Sequence, residues 1–120
     1  MILVDTSVWI DHLRKSDPVL RQLLDSGQVL CHPFIIGELG MGNLKDREVV
    51  LGAMEGLPAA TVAHHNEVMH IVSTHSLFGL GIGYIDAHLL ASSRITPHAR
   101  LWTRDRRLRA IASQLSLAYP

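Results

Sequence analysis

Of the eleven acidic residues in this chain, four have neighbours that set them apart: Asp5, Glu38, Asp86 and Asp105. Asp5 closes the apolar run Ile2-Leu3-Val4 and is followed by Thr6-Ser7, while Asp105 follows Leu101-Trp102-Thr103-Arg104. Such runs, ended by Asp, Thr or Ser, read as buried strands that deliver the chain to a helix start. Both carboxylates are therefore expected at strand carboxyl ends, the edge of a parallel sheet where ligands and catalytic groups gather. Glu38 lies within Phe34-Ile35-Ile36-Gly37-Glu38-Leu39 and Asp86 within Ile85-Asp86-Ala87-His88-Leu89-Leu90, each among apolar neighbours. A buried ionised carboxylate is costly without a cation, and carboxylates crowded together raise one another's pKa. Mg²⁺, or Mn²⁺ in its place, takes oxygen ligands and keeps several waters, so a few carboxylates without His or Cys suffice. A site of that kind activates water or holds a phosphate oxygen, the chemistry of metal-assisted phosphodiester hydrolysis.

Simpler roles compete for the same residues. Asp5 or Asp105 serves equally as a helix cap, worth about 1 kcal/mol, and Glu38 or Asp86 could pair with an arginine. Thr6, Ser7 and Thr103 flank the carboxylates and are placed to support them or a bound water, although capping alone explains Thr6 and Ser7. Asp11, Asp25, Asp46, Glu48, Glu55 and Glu67 fall on helix faces turned to water and are expected to be solvated.

The elements that must position these groups alternate in type. A strand over residues 2 to 5 leads into a helix from Ser7 to Arg14. A second helix opens at Asp17-Pro18, where Asp caps and Pro presets the first turn, and closes at Gly27. Residues 28 to 31 make a short strand, and Pro33 starts a helix ended by Gly40 and Gly42. Further helices are predicted from Asp46 to Gly56, over residues 64 to 78 and from Tyr84 to Ser93. A late strand at Leu101-Trp102-Thr103 precedes a final helix running from Asp105 through Leu115. This alternation implies an α/β fold, a three-layer α/β/α sandwich around a central, mostly parallel sheet. With 120 residues, 48% of them hydrophobic, residues 1–120 fit a single domain.

The order Asp5-Thr6-Ser7, Gly37-Glu38-Leu39, Tyr84-Ile85-Asp86-Ala87 and Leu101-Trp102-Thr103-Arg104-Asp105 resembles the four acidic motifs of PIN-domain ribonucleases. Within that family it looks most like the VapC toxins of bacterial toxin–antitoxin pairs, along nearly the whole chain. The resemblance implies that Asp5, Glu38, Asp86 and Asp105 form the catalytic, metal-binding acidic centre, with Asp5 and Asp86 as direct Mg²⁺ ligands. It also implies cleavage of structured RNA, such as a tRNA or a ribosomal RNA loop. A homodimer and inhibition by a cognate antitoxin protein that blocks the cleft belong to the same expectation.

An RNA partner has separate support in the charge distribution. Lys+Arg and Asp+Glu balance at eleven each, yet Arg94, Arg100, Arg104, Arg106, Arg107 and Arg109 crowd one segment in which Asp105 is the only acid. Guanidinium groups bind phosphate bidentately, and clustered cations supply salt-dependent affinity for nucleic acid. Arg104, Arg106, Arg107 and Arg109 are the RNA-binding candidates, against the alternative of a solvated face with intrachain ion pairs. The single Cys31 excludes an internal disulfide and suits a reducing cytoplasm. No signal core is apparent, and no apolar run approaches the ~20 residues that span a bilayer, so neither secretion nor a membrane role is expected.

Other motifs carry less. Gly79-Leu80-Gly81-Ile82-Gly83 follows a helix and has Tyr84 where a dinucleotide fingerprint needs glycine, so it reads as a loop positioning the Asp86 helix. His64, His65, His70 and His75 lack zinc-site spacing, and His88 reads as a packed or surface residue. Trp9, Trp102 and Phe34 fit a core or dimer surface, and Met41, Met54 and Met69 fit core filling. Two rival functions remain. A haloacid-dehalogenase-like phosphatase also begins with a strand and Asp, but needs a second Asp where this chain has Ser7. A catalytically silent module that binds RNA or protein through the basic face would not need four placed acids.

Overall fold

A computed structural model describes all 120 residues as three short strands and seven helices. The strands are β1 (Ile2–Val4), β2 (Val29–Leu30) and β3 (Arg100–Trp102). They pair in the order β2-β1-β3, every pair parallel, with Ile2 opposite both Val29 and Arg100 and Val4 opposite Trp102. The sheet expected to be mostly parallel is thus parallel throughout. Around it lie α1 (Thr6–Arg14), α2 (Pro18–Asp25), α3 (Pro33–Gly40), α4 (Arg47–Glu55), α5 (His65–Thr74), α6 (Tyr84–Ile95) and α7 (Arg106–Gln114). β1 is central, and Leu3 and Val4 are fully buried, as an unbroken apolar strand covered on both faces requires.

The strand order creates the crevice. From β1 the chain passes through α1 and α2 to β2 on one side, then crosses to β3 on the other. The connections leaving β1 and β3 therefore diverge, and a cleft opens at their carboxyl ends. Asp5 is the first residue beyond β1 and Thr103 the first beyond β3.

Local signals set most helix starts. Asp17 accepts from the backbone N–H groups of Val19 and Leu20, with Pro18 in the first turn. His32 caps α3, its Nδ1 accepting from Phe34 N–H, with Pro33 at the first position. α5 stops at Thr74, short of residue 78, because Ser76 turns into the left-handed region at φ 53°. α6 runs on past Ser93 to Ile95. Of the methionines expected in the core only Met54 is buried, and Met41 and Met69 are exposed. No helix is long and apolar enough to cross a membrane.

Candidate active site

Asp5 leaves the sheet with its backbone N–H still bonded to the Trp102 carbonyl, 2.9 Å away. It occupies the N-cap position of α1, yet its side chain makes no capping bond. Instead Oδ2 accepts two hydroxyl hydrogen bonds, from Ser7 Oγ and Thr103 Oγ1, each 2.8 Å long. Ser7 Oγ accepts in turn from Arg104 N–H at 3.0 Å, and Thr103 Oγ1 from Asp105 N–H at 3.1 Å. Backbone donors thus orient both hydroxyls so that their protons point at one oxygen of Asp5, and Oδ1 has no protein donor. The carboxylate is buried.

The other three acids relate to this point unequally. Asp86, half-buried in the first turn of α6, accepts from Gly83 N–H at 3.3 Å. Burial pushes its carboxyl pKa up, the Gly83 N–H draws it partly back, and the negative charges of Asp5 and Asp105 push it up further. Asp105 caps α7 by accepting from Leu108 N–H at 2.9 Å, so for this residue the capping role is real and uses one oxygen. Glu38 accepts from Thr6 Oγ1 at 2.9 Å, which ties α3 to the start of α1. Burial is less even than the apolar neighbours of Glu38 and Asp86 suggest. Glu38 and Asp105 are exposed, because the short α3 turns Glu38 to solvent and Asp105 sits on a corner.

None of the four acids has a cationic partner. The ion pairs of the chain are Arg47–Glu48, Arg104–Asp11 and Arg104–Asp17. No three acidic, imidazole or thiol groups lie close enough to enclose an ion by themselves. The acids offer oxygen donors only, which fits a hard dication that retains several waters and needs only one or two direct carboxylates.

The basic cluster divides in two. Arg104 is not a free cation: its guanidinium meets Asp11 at 2.5 Å and Asp17 at 2.6 Å and lies 5.7 Å from the centre of the Trp102 ring. Arg104, an RNA-binding candidate from the sequence, is thus engaged in intrachain ion pairs, and Asp11 has a cationic partner rather than water alone. Arg104 fastens α1 and α2 to the corner that carries Thr103 and Asp105. Glu67 also has a structural role, accepting from His64 N–H at 2.8 Å. Arg106, Arg107 and Arg109 remain exposed and in no ion pair around the solvent side of α7, away from its buried Leu108, Ile111 and Ala112. Arg107 lies against Gly81, where a Cβ would come within 2.5 Å of its guanidinium and where φ is +84°. The positive φ favours glycine there.

Sequence reasoning passed over His32 and Tyr84. His32 is buried, and because its Nδ1 accepts from Phe34, the proton sits on Nε2 and is donated to Ser92 Oγ at 3.1 Å. Burial first, and then the neighbouring His88, lower its pKa to about 4. The available signal was a histidine directly before a helix-starting proline. Tyr84 Oη lies 2.7 Å from His65 Nδ1 and 3.0 Å from His88 Nε2. No pattern in the sequence linked these three residues. Beside the acidic centre, a groove of about 630 Å³ is lined by Ile10, Leu13, Leu39, Leu44 and Val49, with Glu38 among its lining residues.

Known proteins share this arrangement along the chain. The PIN domain family matches residues 2–114, a span that contains all four acidic positions. Ribonuclease VapC32 of Mycobacterium tuberculosis strain CDC 1551 / Oshkosh is 47% identical over 118 residues, covering 98% of this chain and 95% of that protein. The protein of the same name from strain ATCC 25618 / H37Rv matches over the same 118 residues with the same 47% identity. The match runs from the start of β1 to the end of α7, and the chain belongs to the PIN-domain family.

Proposed function

We propose that this chain is a divalent-metal-dependent endoribonuclease, the toxin of a toxin–antitoxin pair, acting in the cytoplasm as a homodimer on structured RNA such as a tRNA or ribosomal RNA loop. The observation that carries this reading is the buried Asp5 carboxylate, which is fixed by two hydroxyls, coupled electrostatically to Asp86, and unpaired with any cation. Asp5 and Asp86 would hold Mg²⁺ or Mn²⁺, with Glu38 and Asp105 contributing through water. The ion supplies charge neutralisation at the scissile phosphate and a more acidic water. Ser7 and Thr103 keep Asp5 in one rotamer, and Thr6 does the same for Glu38. Arg106, Arg107 and Arg109 grip flanking phosphates. Loop RNA suits an open cleft because its bases and backbone can splay.

The 47% identity to a protein named a ribonuclease, over nearly all of both chains, supports the activity. The groove that includes Glu38 supports an antitoxin segment entering from the α1–α4 side, where it would cover the acidic centre. The test is cleavage of total RNA by purified protein with Mg²⁺ or Mn²⁺, with and without chelator. Fragments that depend on the ion and disappear with Asp5→Asn are expected. Equal cleavage by parent and variant would overturn the reading.

A further inference from the structure

Between α5 and α6 the chain makes the turn Leu77-Phe78-Gly79-Leu80-Gly81-Ile82-Gly83, in which Gly79 and Gly81 take positive φ and Phe78 is 69% exposed. Beneath this turn lies a cavity of about 150 Å³, lined by Met69, Val72, Leu77, Phe78 and Tyr84 and reaching Gly83. Gly83 is the residue whose N–H holds Asp86, so the cavity adjoins the turn that positions this acid. Arg107 lies across Gly81 on the same turn and brings an unpaired guanidinium to it.

We infer that this cavity is a nucleobase subsite, which takes one unstacked base of the RNA next to the cleaved phosphate; the inference rests on the ribonuclease reading. Four features favour a base over other occupants. The volume is about half that of the smallest ordinary small-molecule sites, roughly 300 Å³, so it admits one flat ring and no helix. Two aromatic side chains line it, and such rings stack on any base. The Tyr84 ring is held in place in advance. His88 is buried and its Nδ1 has no partner, so the arrangement that leaves no bare buried N–H has His88 Nε2–H donating to Tyr84 Oη and Tyr84 O–H donating to His65 Nδ1. Finally, the turn over the cavity meets Asp86 through Gly83 and Arg107 through Gly81, so a base held there would lie near both the acidic centre and a cation for its phosphate.

The test measures binding of a mixed-sequence single-stranded oligoribonucleotide, and of the same strand with abasic positions, in an Asp5→Asn background where no cleavage occurs. Phe78→Ala should weaken binding of the intact strand by roughly 5- to 150-fold, the range expected for loss of one stacked base. Binding of the abasic strand should not change, and neither should the salt slope. Arg107→Ala should weaken both strands and flatten the slope by about 0.7. An equal effect of Phe78→Ala on both strands, or none on either, would overturn the subsite. So would a fall in molecular mass by light scattering with RNA affinity unchanged, which would assign Phe78 to contact with a second copy of the chain. Metal-dependent cleavage by the parent protein is scored separately, so failure of the subsite and failure of the ribonuclease reading give different results.

Discussion

Thr103 Oγ1 donates to Asp5 Oδ2 across 2.8 Å, although the two residues are 98 positions apart in the chain. Ser7 donates to the same oxygen, so the orientation of the central carboxylate depends on two hydroxyls from opposite ends of the sequence. Ser7→Ala and Thr103→Val should each lower metal-dependent cleavage by about 10- to 100-fold, the usual cost of removing a group that orients a metal ligand. RNA affinity should stay within a factor of about two, since neither hydroxyl belongs to the basic face. Cleavage rates and binding curves for both variants check this.

Asp86 titrates above the usual carboxylate range through burial and the charges of Asp5 and Asp105. A raised folded-state pKa means that the folded chain binds the proton better than the unfolded chain does, so this group lowers stability as pH rises past its unfolded pKa. Asp86→Asn should therefore raise the metal-free Tm near pH 7, and the gain should disappear in acid, where the parent is protonated. Added Mg²⁺ should raise the Tm of the parent more than that of the variant. Thermal melts at pH 4 and pH 7, with and without the ion, measure all three effects.

Arg104 and Arg107 should behave oppositely despite being three residues apart. Arg104→Ala removes two ion pairs with Asp11 and Asp17, each worth at most about 1 kcal/mol at such an exposed site. It should lower Tm and leave the salt dependence of RNA binding unchanged. Arg107→Ala should leave Tm nearly unchanged and flatten that dependence. Titrations at several salt concentrations distinguish the two, and a flattened slope for Arg104→Ala would return it to the RNA-binding set.

His32 makes the fold sensitive to acid. Unfolded, it takes up a proton near the ordinary value of 6.5; folded, only near about 4. Between those values the unfolded chain holds more protons, so stability falls as pH drops through the window, by up to roughly 3 kcal/mol in all. His32→Gln should be less stable at pH 7, having lost the cap on α3, yet its stability should decline less steeply between pH 6.5 and 4. Urea melts across that range test the sign.

Much of this molecule was legible in the sequence because its local signals agree. Asp17-Pro18 starts α2, Gly27 ends it, and the apolar run Ile2-Leu3-Val4 forms the central strand. The acids at the ends of β1 and β3 could be placed because a parallel sheet puts all carboxyl ends on one edge. Long-range pairing was not legible. Arg104 looked like one more cation in a basic run, since nothing local marks Asp11 and Asp17 as its partners. The contact of His65 and His88 with Tyr84 depends likewise on how α5 and α6 pack. Glu38 looked buried from its neighbours, but a helix as short as α3 cannot cover every side.

The late position of β3 has a consequence for biosynthesis. The strand that completes the cleft begins only at Arg100, so a ribosome must release most of the polypeptide before Asp5 acquires the Thr103 hydroxyl and the Asp105 carboxylate joins the site. A nascent or prematurely terminated chain lacks one side of the cleft altogether.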